Sequence, residues 1–172
     1  MKNFMFIFIF VCLIFSFSVL FFKDSVRNIE PEILKREHSC ASDGMVIIDY
    51  KGPKAQILWK NNARTFYCEV REAFFESLDF VKRKNILAVF VQDFSNVNWG
   101  SYIDLWIKAE DAFYVIDSKK DGAMGITYVP FSDYNKAILF VEKFEGKILK
   151  FEDIKLDVLL NSDFLLKERG IF

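Results

Sequence analysis

The run from Phe4 to Phe22 constrains this chain more than any other feature. It is apolar throughout, broken only by Cys12, Ser16 and Ser18. Its nineteen residues, at a helical rise of about 1.5 Å each, nearly span the hydrocarbon core of a bilayer. Two readings stay open, an uncleaved anchor and a cleaved signal peptide. The length favours the anchor, because Ser16 and Ser18 offer only a weak small-x-small cleavage site. Residues 1–22 are therefore expected to put the rest of the chain on or across a membrane. Lys2 lies on one side and Lys23, Asp24 and Arg27 on the other, so the positive-inside rule decides little. The signal-like shape favours an exported C-terminal part.

The chain has 172 residues, 52% of them apolar and 21 of them Phe. That is too apolar for disorder. After the anchor, about 150 residues suit one domain with its own core. The net charge of -1 leaves no basic face for nucleic acid. There is one His, His38, which excludes a His-rich zinc centre and any triad that does not use it. His38 stands in a polar stretch, a poor seat for a rigid base. Asp93, Asp104, Glu110, Asp111 and Asp133 are scattered and read as solvated charge. No calcium loop or phosphate loop appears. With no acid–base pair and no partnered nucleophile, the chain is not expected to be an enzyme.

Residues 23–39 are charged, contain Pro31 and read as a linker. Residues 40–154 are expected to form the folded domain, and 155–172 a tail that packs back or forms a short helix. Met45–Tyr50 and Ala55–Lys60 have strand composition, separated by the turn Lys51-Gly52-Pro53-Lys54. Arg64–Cys68 is a short strand. Val70–Arg83 has helical spacing, with Val70, Phe74, Leu78 and Val81 on one face. Ile86–Phe94 is an apolar strand. The order then recurs: strand Ala112–Asp117, a loop, strand Ile126–Phe131, helix Asp133–Glu145, strand Lys147–Ile154. Ser132 is a candidate N-cap, and Gly146 fits the helix end. Ala137, Phe140, Val141 and Phe144 share the second helix face. The fold class predicted is α+β, two successive β-β-α-β units with largely antiparallel sheets, after an N-terminal membrane helix.

The exported part holds only two Met, each beside a glycine: Gly44-Met45 and Met124-Gly125. A thioether is a soft, neutral ligand that suits Cu(I). The adjacent glycine lets the backbone turn sharply. Two gap-filling core methionines would look the same. Cys40 stands five residues before Met45, and its thiolate would strengthen such a site, as would the imidazole of His38. Cys40 is open to two other readings, an idle thiol or a disulfide with Cys68. Trp99 and Trp106 are expected to pack, and a Trp beside a loop could shield a metal.

Taken together, the chain resembles the NosL family, accessory proteins of nitrous oxide reductase. The resemblance rests on Gly44 to Ile57, including Gly52-Pro53-Lys54-Ala55-Gln56, and on Val91-Gln92-Asp93-Phe94. It continues through Trp106 to Ala109, Ala112 to Ser118, Met124-Gly125 and Pro130-Phe131-Ser132-Asp133. It runs from about Cys40 to Ile154. The resemblance implies a pair of β-β-α-β units and an exported protein, usually a lipoprotein, that binds Cu(I). It also implies that the chain helps deliver copper to nitrous oxide reductase or works with other copper-assembly proteins. Met45 and Met124 match the family's methionines. The chain departs from the family at Asp43, which stands where members carry the Cys closest to the first Met. Cys40 matches the first Cys of a Cys-x-x-Cys-Gly-Met pattern. The lipid-attachment motif is also missing, and the apolar anchor stands in its place. The expectation is a copper chaperone held at the inner membrane with its domain in the periplasm. Its metal ligands would be Cys40, Met45, Met124 and His38. The rival expectation is a metal-free assembly or interaction factor.

Overall fold

The computed structural model describes residues 29–101 and 103–161, so the expected membrane helix lies outside the described residues. Among the described residues, no helix is long and apolar enough to cross a membrane.

The first half is a four-stranded sheet. Strands β1 (Ala55–Trp59) and β2 (Arg64–Tyr67) form a hairpin, closed where the Asn61 side chain accepts the Ala63 N–H. Helix α1 (Val70–Leu78) leads to β3 (Ile86–Gln92), which returns antiparallel to β1. Strand β4 (Trp106–Lys108) pairs with the end of β3, giving the order β2-β1-β3-β4. The second half opens on β5 (Phe113–Ile116). A small hairpin of β6 (Asp121–Gly122) and β7 (Gly125–Ile126) follows, then β8 (Val129–Phe131), α2 (Tyr134–Phe144) and β9 (Lys147–Lys150). Its sheet has the order β8-β5-β9. All strand pairs are antiparallel. Strand β1 lies between β2 and β3, and β5 between β8 and β9. The fold is mixed α and β with antiparallel sheets.

Side-chain alternation along β5 explains how the halves join. Tyr114 and Ile116 enter one core with Ile57, Val91 and Phe74, while Val115 faces a second core with Phe131 and Ala137 of α2. Successive residues of a strand point to opposite faces, so β5 is covered on both sides. Phe74 of α1 meets Tyr114 edge-on at a centroid distance of 5.1 Å and Phe151 at 5.5 Å. On the other face, Phe140 of α2 packs on Phe131 and Trp99.

Several expectations are corrected. Met45–Tyr50 is not a strand. It makes one bridge, Ser39 to Val46, and then a 3-10 turn at Ile47–Asp49 in which the Asp49 N–H donates to the Val46 carbonyl. Its apolar character goes into burial of Ile47 rather than into a ladder. The first helix stops at Leu78 instead of Arg83, because the Asp79 carboxylate captures the Val81 and Lys82 amides at 2.8 and 2.9 Å. Val81 is consequently 71% exposed. The expected strand Ile126–Phe131 divides into β7 and β8, and Lys147–Ile154 ends at Lys150 in a 3-10 turn. Residues 29–39 lie against the first sheet: Gln56 exchanges two hydrogen bonds with the Glu32 backbone, and Leu34 is buried. Leu159 is fully buried in the main core.

Asp93 is not solvated charge either. Its carboxylate accepts the Ser95 and Ser132 hydroxyls at 2.6 and 2.5 Å and both of their amides. It thereby ties the end of β3 to the start of α2. Burial pushes this carboxyl up, but the bonds from Ser132 and Ser95 outweigh it and hold it below the usual range. The tie is therefore present above the ordinary carboxylate value near 3.8 and lost as pH falls through the lowered one. Asp93→Ala is expected to lose about 1–3 kcal/mol at neutral pH, and the gap from wild type in urea unfolding should shrink towards pH 3. Phe74→Ala should lose about 3–5 kcal/mol in the same assay at every pH.

Candidate metal centre

The site begins in a tight turn. The Cys40 N–H donates to the Met45 carbonyl at 2.8 Å, and the Gly44 N–H donates to the Cys40 carbonyl at 2.9 Å. Gly44 sits at φ 76°, in the left-handed region that glycine tolerates. The Asp43 carboxylate accepts the Met45 N–H. The Ala41 N–H donates to the Phe66 carbonyl, which lays the turn on β2. Cys68 follows directly after β2, at the junction with α1.

The turn and the junction bring two sulfurs together. Cys40 Sγ lies 2.6 Å from Cys68 Sγ, and both cysteines are free and buried. Met124 Sδ, from the β6–β7 hairpin, lies 3.8 Å from Cys68 Sγ. Glu72 Oε2 stands 3.7 and 3.6 Å from the two thiol sulfurs. Cys40, Cys68 and Glu72 form a group of potential metal-binding atoms all within 4.8 Å of one another. Met45 and Trp106 pack against the same cluster.

The two thiols differ electrically. The Cys68 thiol and the amides of Ser42 and Cys68 stabilise the Cys40 anion and draw its pKa down against burial. Cys68 is driven far up by that bond to Cys40, by burial and by the negative charge of Glu72. The pair thus gives up one proton and shares the other. Lys54 is the buried cation nearby. Its ammonium donates to the carbonyls of Lys51 and Cys68. Burial lowers its pKa while Glu69 and the thiols raise it.

A buried carboxylate holds Met124 at the site. Glu69 is the N-cap residue of α1, yet its side chain makes no bond to its own helix. It accepts the Met124 N–H at 3.0 Å. Burial pushes its carboxyl up to about 7. The contact is close: a Cβ on Gly122 would stand 2.2 Å from Glu69 Oε1, and one on Gly52 would stand 2.7 Å from the Gly122 Cα.

Of the residues singled out from sequence, Cys40 and Met124 meet at Cys68, and Met45 packs against the same cluster. His38 does not join them. Its ring stacks on Phe66 at 4.1 Å, its Nδ1 accepts the Lys35 N–H, and its Nε2 lies 3.4 Å from Glu32. Cys68, which the sequence offers only as a disulfide partner, is at the centre. So is Glu72, whose spacing of four from Cys68 was the available signal, because such residues neighbour each other at a helix start. Two thiol sulfurs and a thioether form a soft donor set, suited to a soft cation.

Soft sulfur donors gathered where the turn at Cys40, the β2–α1 junction and the β6–β7 hairpin meet define a small mixed α and β domain with a candidate site for a soft cation. The NosL family model matches residues 31–159. The copper-binding lipoprotein NosL of Achromobacter cycloclastes is 33% identical over 140 residues, 77% of this chain and 71% of the relative. That of Stutzerimonas stutzeri is 29% identical over 129 residues, 74% of this chain and 67% of the relative. The crystal structure of the copper chaperone NosL from Shewanella denitrificans superposes with a TM-score of 0.70 at 29% identity, over 74% of this chain and 97% of that one. The chain belongs to the NosL family.

Because burial disfavours its anion, the stability contributed by neutral Glu69 is fully present below about 4.5 and lost as pH rises through about 7. Glu69→Gln keeps an acceptor for the Met124 N–H and should flatten this slope in thermal melts of the copper-free chain. Glu69→Ala leaves that amide unpaired and should lose about 1–3 kcal/mol.

Proposed function

We propose that this chain is a copper chaperone that carries Cu(I) on Cys40, Cys68 and Met124, with Met45 as a further thioether at the rim. The observation that carries this reading is the meeting of three sulfurs at the junction of the two halves, with Cys40 Sγ 2.6 Å and Met124 Sδ 3.8 Å from Cys68 Sγ. Thiolates and thioethers are the ligands that select Cu(I). Glu72 and Asp43 add negative charge beside the sulfurs, which favours a cation over a neutral ligand. Both relatives named above are copper-binding, and the related solved structure is a copper chaperone. In this reading Cys68 takes the place first given to His38, whose two ring nitrogens are occupied. Asp43 fixes the turn by holding the Met45 amide and does not replace a cysteine ligand.

A carrier has to hand its ion on. Met45 and Met124 are only partly buried, so a partner's ligand can approach the metal from their side. The client proposed is nitrous oxide reductase or another copper-assembly protein. The apolar segment 1–22 would tether the domain at the membrane's outer face. The lipoprotein character of the relatives supports a membrane tether.

Competition between the full-length chain and a chromophoric Cu(I) chelator tests the assignment. Cys40→Ser and Cys68→Ser should each lower affinity by more than the roughly 10–100-fold typical of losing an outer-shell support. His38→Ala should leave it nearly unchanged. A Cys68→Ser, Met124→Ala double variant that keeps full affinity overturns the site, and a wild-type chain without Cu(I) affinity favours the metal-free assembly factor.

A further inference from the structure

We infer that Cys40 and Cys68 form a reversible dithiol–disulfide pair, and that its oxidised state closes the cation site. The first part rests on geometry alone; the second rests on the carrier reading above. The two thiols are free, and their sulfurs are in contact at 2.6 Å. They come from segments 28 residues apart, each fixed by backbone bonds, so the contact does not depend on a mobile side chain finding its partner. The Cys68 N–H also donates to Cys40 Sγ at 3.1 Å, which orients that sulfur as the attacking atom.

Charge supplies the drive. Glu72 Oε2 lies within 3.7 Å of both sulfurs, and Asp43 Oδ2 lies 3.9 Å from Cys68. Lys54 is the neighbouring cation, and its ammonium bonds to carbonyl oxygens instead of to the sulfurs. The carboxylates of Glu72 and Asp43 repel negative charge on the sulfurs. The cluster can shed that charge in two ways. A cation can neutralise the sulfurs, or the sulfurs can join into an uncharged disulfide. The two outcomes exclude each other, because a disulfide sulfur has given up the anionic lone pair that binds metal.

The co-reactant is a disulfide-bearing oxidant, small enough to approach past the exposed turn Ala41-Ser42-Asp43. The Cys40 thiolate attacks one sulfur of the oxidant, breaking its S–S bond and releasing one thiol. Cys68 then attacks Cys40 Sγ in the mixed disulfide and releases the second thiol. The chain loses two protons and two electrons and gains one S–S bond. The oxidant gains both and becomes two thiols. Excess thiol reverses every step.

The test uses the full-length chain carrying Cys12→Ser, so that only the paired thiols are counted. It is equilibrated in mixtures of reduced and oxidised glutathione, quenched in acid, unfolded, alkylated and weighed. The expected result is a single reversible transition from two alkylated thiols to none, with the mass lower by two hydrogens. Met124→Ala should show the same transition. Two alkylated thiols at every ratio overturn the pair, as does a stable glutathione adduct on Cys40 with Cys68 free. Chelator competition on the two forms then tests closure. The oxidised chain should fall to the Cu(I) affinity of a Cys40→Ser, Cys68→Ser double variant. Equal affinity in both forms overturns closure. A reduced chain without Cu(I) affinity overturns the carrier reading and closure with it, while the thiol count stands by itself.

Discussion

The hydrogen bond from the Met124 amide to the buried Glu69 carboxylate is the constraint on which the site depends. It crosses from the β6–β7 hairpin of one half to the β2–α1 junction of the other. Glu69 neighbours Cys68, so consecutive residues of one junction serve two ties. Cys68 meets the turn that carries Cys40, and Glu69 meets the hairpin that carries Met124. The approach is close enough that Gly122 and Gly52 must lack side chains. A Cβ at Gly52 would press on the Gly122 backbone, and one at Gly122 would displace the Glu69 carboxylate that holds the Met124 amide.

The same junction sets the electrostatics. One buried ammonium, Lys54, faces two carboxylates and a pair of thiols. Hydrogen-bond donors stabilise a charge on Cys40, and that charge in turn holds the proton on Cys68. The result is a pocket with surplus negative charge borne on soft atoms. Met124 adds a ligand with no further repulsion, since a thioether is neutral. Glu72 and Asp43 attract a cation to the sulfurs without offering the soft donors it prefers.

Periodicity made much of the fold legible. The 3.6-residue spacing of Ala137, Phe140, Val141 and Phe144 identifies α2, with Gly146 at its end, where φ is 113°. Strand, strand, helix and strand follow in β1, β2, α1 and β3, with β4 added; the second half inserts the β6–β7 hairpin between β5 and β8. The elements misread are those settled by a single side chain or by distant pairing. Asp79 ends α1 early through local bonds that no hydrophobic pattern records. Strand β4 has Trp and Ile, which suit a strand, but at three residues it is marked off only by its pairing with the end of β3. Asp93 looks like surface charge until Ser132 is folded against it.

The donor inventory is legible in the chain alone. It held one imidazole, two thiols and two thioethers beyond the apolar segment, and so pointed to soft-metal chemistry and away from hydrolysis. It also marked the glycines that free the methionine turns. Only the tertiary structure decided which donors meet. Cys68 lies 28 residues from Cys40 and 56 from Met124, and local propensity carries no record of contacts at such separations. His38, two residues from Cys40, was the natural ligand by proximity in sequence. The fold instead stacks its ring on Phe66 and sets its Nε2 beside Glu32, contacts with residues 28 and 6 positions away that nothing local to His38 records.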